Sequence, residues 1–96
     1  MASNWSSEKE ATPEIQEICN RMKPFAEGSV GLTFSVFIAK QYIFQFNEDT
    51  HKMKYSIRVQ GQDYYIHLEV AKSPVEELKF IACLLPRTAD DPLPHF

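Results

Sequence analysis

No apolar run in the chain approaches the roughly 20 residues that cross a bilayer, so no membrane span is expected. The start, Met1-Ala2-Ser3-Asn4-Trp5-Ser6-Ser7-Glu8-Lys9, lacks the apolar stretch of a signal peptide. Both absences point to a cytoplasmic address. Basic charge is also in short supply: 10 Lys and Arg stand against 13 Asp and Glu, for a net charge of −3. The basic residues are scattered, which argues against a protein that works by neutralising nucleic-acid phosphates. There are two cysteines, Cys19 and Cys83, neither inside a local motif, and in a reducing compartment they read as free buried thiols rather than a bridge. Without an export signal, the glycosylation triplet Asn4-Trp5-Ser6 carries no weight. His51, His67 and His95 share no spacing that would bring two onto one metal, so no metal or cofactor is implied. Cys19 with His67 could be drawn as nucleophile and base. Cys19, however, falls on an apolar helical stripe, where it behaves as an inert small hydrophobe, and the chain reads as a non-enzyme.

What is present suits one modest core. The chain has 96 residues, 44% of them hydrophobic, enough for one layer packed on another. Residues 1–11 are mostly polar, with Ser, Glu and Lys and one isolated aromatic, Trp5, and read as a mobile arm, with residues 12–96 as a single domain. Thr12-Pro13-Glu14 reads as a helix start: a capping hydroxyl, a proline suited to the first turn, and an acid at the positive end of the dipole. Ile15, Ile18, Cys19, Met22 and Phe25 then recur at helical spacing, and Pro24 predicts that regular helix stops near Lys23. Gly28 and Gly31 supply the following turn.

From Leu32 the period becomes two. Leu32, Phe34, Val36, Ile38, Tyr42, Phe44 and Phe46 share a parity interrupted only at Lys40, which predicts a long or bent strand. Phe34, Phe37, Phe44 and Tyr42 are assigned to the core rather than to a base-stacking platform. Asn47-Glu48-Asp49-Thr50-His51-Lys52 is a polar turn whose two acids read as solvated, and Met53, Tyr55, Ile57 and Val59 form the next inward row. After Gln60-Gly61-Gln62-Asp63, Tyr64, Ile66, Leu68 and Val70 point inward while Tyr65, His67 and Glu69 point outward. A short connection at Pro74-Val75-Glu76-Glu77 leads to a last strand over Leu78 to Leu85, and Pro86, Pro92 and Pro94 keep the tail irregular. Trp5 and Phe96 are aromatics at exposed ends. The expected fold class is α+β, one N-terminal helix packed across a four- to five-stranded antiparallel sheet, with no internal repeat.

Several ordered stretches give this layout a family resemblance. Ala11-Thr12-Pro13-Glu14-Ile15-Gln16-Glu17-Ile18 with Lys23-Pro24, then Tyr55-Ser56-Ile57-Arg58-Val59, Ile66-His67-Leu68-Glu69-Val70 and the ending Ala89-Asp90-Asp91-Pro92-Leu93-Pro94-His95-Phe96 resemble the type 1 cystatins, or stefins. The resemblance implies a cystatin-like fold and a reversible, non-catalytic inhibitor of papain-like cysteine proteases, which enters the enzyme cleft with a wedge of three elements. By resemblance, the protease-contacting residues are Thr12, Gln45, Phe46, Asn47, Glu48, Asp49, Pro74 and Val75. The family's elements are an N-terminal Gly, a first hairpin reading Gln-Val-Val-Ala-Gly, and a second hairpin with Pro-Gly. Here no Gly precedes Gly28, Gln45 is followed by Phe46-Asn47-Glu48-Asp49, and Pro74 is followed by Val75-Glu76. Inhibition is therefore expected to be weakened or altered. The alternative is a non-inhibitory protein-binding module on the same scaffold. The longer, more polar first hairpin predicts a monomer, with the hairpin-swapped dimer open to stefins as the other state.

Overall fold

Thr12 caps the helix as its residue type predicts: its hydroxyl oxygen accepts from the Ile15 amide at 3.3 Å, and Pro13 begins the first turn. In the computed structural model, which describes residues 4–96, six elements follow in order. They are β1 (Lys9–Glu10), α1 (Pro13–Val30), β2 (Ile38–Asn47), β3 (Lys52–Gln60), β4 (Tyr65–Lys72) and β5 (Leu78–Arg87). The five strands make one antiparallel sheet in sequence order. Among the described residues, no helix is long and apolar enough to cross a membrane.

The helix does not stop at Lys23. It runs through Pro24 to Val30 and closes on Gly31, whose backbone is left-handed at φ 73° and whose amide donates to the Glu27 carbonyl. Pro24 is tolerated because both it and Asn20, whose carbonyl loses its amide partner, lie on the exposed side. Burial of Met22 and Ala26 on the opposite side carries the helix past it. Phe25, expected on the inward stripe, is 58% exposed, and its ring stacks on Phe80 at 6.5 Å. The inward place belongs to Ala26, one residue on, because a helix rotates about 100° per residue.

The strand expected from Leu32 begins only at Ile38. Residues 32–37 are irregular, held by the Glu27 carboxylate accepting from the Phe34 amide at 2.8 Å. Gln16 splints the start of β2 to the helix, its amide donating to the Phe37 carbonyl and its oxygen accepting from the Ala39 amide. Phe34 and Phe37 are buried and stacked at 5.2 Å. The simple parity fails at Lys40, where the pairing register shifts between Ala39 and Gln41. Before that bulge Phe37 and Ala39 face the helix-side core and Ile38 is exposed, whereas after it Tyr42 and Phe44 pack on that core as their parity predicts.

The helix covers one face of the sheet, over a core that includes Ile57, Val59, Ile66, Leu68 and Val70 with Cys19 and Met22. The other face is covered too, which the alternation did not predict. Leu93 in the irregular tail is buried, and beneath it lie buried Ile43, Ser56, Arg58, His67 and Glu69. His67 and Glu69, expected to face water, are therefore interior residues. The arm is seated as well: Lys9 and Glu10 pair with Tyr42 and Gln41, the Ser6 amide donates to the Phe44 carbonyl at 2.8 Å, and Phe44 donates back to the Ser6 hydroxyl at 3.0 Å. Nor are the terminal aromatics free ends, since Trp5 stacks on His95 and contacts Phe96.

Candidate functional site

Strand register brings three segments to one end of the sheet. The arm runs antiparallel to β2, with Glu10 beside Gln41 and Ser6 beside Phe44, so moving toward the N-terminus advances along β2 toward Asn47. That strand end turns over through residues 48–51 into Lys52. Met53 pairs with Lys72 and Lys72 with Leu78, which sets the second tip, residues 73–77, at the same end. Trp5, the 48–51 tip and the 73–77 tip thus form one edge.

Local chemistry fixes both tips. Asn47 Oδ1 accepts from the Asp49 and Thr50 amides at 2.9 and 3.2 Å, and the Asn47 carbonyl accepts from His51 at 2.7 Å. His51 takes the left-handed conformation, at φ 58°, that closes the turn. In the second tip, Ser73 works from both ends: its hydroxyl oxygen accepts from the Glu77 amide at 3.1 Å, while its own amide donates to the Glu77 carbonyl. Lys72 and Glu76 form an ion pair at 3.7 Å on its flank.

Of the residues named from the sequence, Gln45, Phe46, Asn47, Glu48, Asp49, Pro74 and Val75 lie at or next to this edge. Gln45 is half-buried opposite Lys54. Phe46 is exposed with its ring edge-on to His51 at 6.1 Å, and Val75 is 73% exposed. Glu48 and Asp49 are exposed, and among the described residues neither has an ion-pair partner. Thr12 stands apart from them. It follows Ala11, whose amide donates to the Lys40 carbonyl far down β2, and its hydroxyl is committed to the helix cap. It borders instead a groove of about 440 Å³ between α1 and the sheet, floored by Ile18, Tyr42, Phe44 and Met53.

Chain-wide comparison then decides the family. No family model matches the chain. It is 41% identical to Cystatin-B of Paralichthys olivaceus over 91% of this chain and 90% of that protein. The chain is also 37% identical to Leukocyte cysteine proteinase inhibitor 1 of Sus scrofa, over 100% and 94% of the two, and 37% identical to human Cystatin-A over 95% and 94%. The chain belongs to the stefins, the type 1 cystatins. Like these relatives, it is not an enzyme.

This stefin's edge offers contact surface rather than reactive groups. Burial pushes the Cys19 thiol up to about 12 and Cys83 to about 11, so both stay protonated and unreactive at neutral pH. Both are free. The residues that sequence reasoning missed lie farther down the sheet from the edge: Arg58, Glu8, Gln41 and Asp91, which join the arm and the tail to the sheet. The one signal for them was the apolar Leu93 in a tail otherwise rich in Asp and Pro, which needs somewhere to be buried.

Proposed function

We propose that this stefin is a reversible, non-catalytic inhibitor of papain-like cysteine proteases, cytoplasmic and monomeric, that uses residues 12–96 as its domain and residues 1–11 as its arm. The observation that carries this reading is the convergence of the arm, the 48–51 tip and the 73–77 tip at one end of the sheet. A narrow edge built from two backbone turns and the arm fits a cleft, while exposed Phe46 and Val75 supply apolar contact. Gln45, Phe46, Asn47, Glu48, Asp49, Pro74 and Val75 are the proposed contacts. Thr12 is proposed to act on the arm, by fixing where the helix begins.

The same edge makes the inhibitor a weak one. A nanomolar complex represents about 12 kcal/mol, and carrying Glu48 or Asp49 into a cleft without a basic partner costs several kcal/mol per charge. Titration of papain and a panel of lysosomal cathepsins tests both halves. Micromolar inhibition constants are expected; nanomolar values would overturn the weakening. Inhibition of none of them at saturating concentrations would overturn the inhibitor reading in favour of the protein-binding module. Replacing Phe46-Asn47-Glu48-Asp49 with Val-Val-Ala-Gly should tighten inhibition, and no gain would show that the tip is not the weak element.

A further inference from the structure

Arg58 is only 3% exposed, yet it reaches three separate segments of the chain. Its Nη1 donates to the Glu8 carboxylate of the arm and, at 3.1 Å, to Gln41 Oε1 on β2. Its Nη2 donates to the Asp91 carbonyl of the tail at 2.7 Å. A planar fork with donors on both nitrogens can serve three such acceptors at once, which an ammonium on a flexible stem does poorly. Trp5 and Ser6 have their own contacts, with His95, Phe96 and Phe44, but Glu8 itself is held by Arg58. β1 is two residues long, too short to hold a strand by itself, and the backbone bonds from Ser6 and Ala11 flank Glu8 without fixing it. No glycine precedes Gly28, so the arm is set by attachment rather than by a hinge. On the tail side, the Asp91 contact precedes Leu93, which is 7% exposed over the sheet.

We propose that Arg58 is the positioning residue of the N-terminal contact element: one buried guanidinium ties Glu8 and the Asp91 backbone to the sheet and so presents Trp5 beside the 48–51 tip. The enzyme-facing half of this proposal rests on the inhibitor reading above. The clasp itself does not. Because this guanidinium holds the arm and the tail together, alongside the Trp5–His95 stack, loosening the arm at Glu8 also loosens the tail, although Glu8 makes no hydrogen bond to the tail in this structure.

Trp5 is the chain's one tryptophan, so its fluorescence reports the arm directly. The test uses full-length Glu8→Ala, Arg58→Met, the double variant, and Ile66→Val as a control that perturbs the helix-side core alone. Expected results are greater acrylamide quenching of Trp5 and faster amide exchange at Leu93 in Glu8→Ala and Arg58→Met. Papain inhibition should weaken about tenfold, the loss of one charge-assisted contact, with the double variant no worse than Arg58→Met. Ile66→Val should move none of these. Arg58→Met strips a buried site and could fail to fold, whereas Glu8→Ala changes a half-exposed partner and keeps the test open. Unchanged quenching and exchange in Glu8→Ala would overturn the clasp, and greater quenching with unchanged inhibition would overturn the positioning. If the wild type inhibits no papain-like enzyme, the inhibitor reading and the presentation of Trp5 to an enzyme fall together, while quenching and exchange still decide the clasp.

Discussion

Trp5 and His95 stack with ring centroids 5.2 Å apart and planes 11° from parallel, so the arm and the tail meet over the sheet face opposite the helix. Phe96 joins them at 5.4 Å from Trp5, and its ring and carbonyl both meet the Lys54 ammonium. An aromatic pair of this kind contributes about 0.5–1.5 kcal/mol beyond the area it buries. Trp5→Ala is therefore expected to lower unfolding free energy by about 1 kcal/mol in a denaturant titration. His95→Ala should increase quenching of Trp5 while leaving the far-ultraviolet circular dichroism unchanged. A Trp5→Ala variant as stable as wild type would show that the contact adds nothing.

His67 gives this second core a pH dependence. It is 1% exposed and lies opposite Arg58 in the register. Burial lowers its pKa most, Arg58 and Arg87 lower it further, and Asp91 and Glu8 pull the other way. The folded pKa thus lies below the ordinary value of 6.5, and the unfolded chain binds the proton first. Stability is full above that value and is lost as pH falls through the folded pKa. Glu69, its neighbour on the same face, is raised above 4.5 by burial, so its contribution is present at low pH and lost as pH rises through the folded value. Wild-type unfolding free energy should fall between about pH 7.5 and about pH 5.5. In His67→Gln, that slope should flatten. The same downward slope in the variant would assign the effect elsewhere.

The helix offers a comparison of two apolar residues three positions apart. Met22 is 4% exposed and Phe25 is 58% exposed, although both fall on the stripe that a helical period predicts. Met22→Ala should cost about 2–5 kcal/mol, the usual loss for a buried side chain of this size. Phe25→Ala should cost below about 1 kcal/mol, since its stacking on Phe80 occurs at the surface. Thermal or urea unfolding of the two variants checks this, and equal losses would mean that Phe25 belongs to the core.

Phe25 also marks where the sequence stops being legible. The helix start at Thr12, the strand order and the inward rows Tyr55-Ile57-Val59 and Ile66-Leu68-Val70 are all readable, because each depends on neighbours a few residues away. Pro24 misleads because its cost depends on what the surrounding helix buries, which a local rule does not contain. Lys40 misleads in the same way: the bulge there lets Phe37 and Ala39 face inward before it and Tyr42 and Phe44 after it, so one parity cannot serve the whole run. His67 and Glu69 look like a solvent face because alternation shows which residues share a side of the sheet, not whether a distant tail will cover that side. At the candidate site, Gln45 through Asp49 and Pro74-Val75 are readable as hairpin tips. Arg58 is not, since its partners Glu8, Gln41 and Asp91 are far from it in sequence.

Gly28 and Gly31 should answer the same substitution with opposite signs. Gly28 lies inside α1, and a Cβ added there would meet nothing within 4 Å. Alanine at that position removes the backbone freedom that glycine gives the unfolded chain, a gain of about 0.5–1 kcal/mol in a helix. Gly31 also has open space around it, but its φ of 73° places it in the left-handed region that ends the helix. A Cβ there crowds its own backbone at a cost of about 1–2 kcal/mol. It also strains the turn that brings the Gly31 and Leu32 amides onto the Glu27 carbonyl. Space alone does not separate the two positions; the dihedral angle does. Gly28→Ala should raise the denaturation midpoint and Gly31→Ala should lower it, with the slope of the transition unchanged in both. A stabilised Gly31→Ala would mean that the helix continues past residue 31 in solution, carrying Leu32 into another turn and moving the chain's approach to buried Phe34.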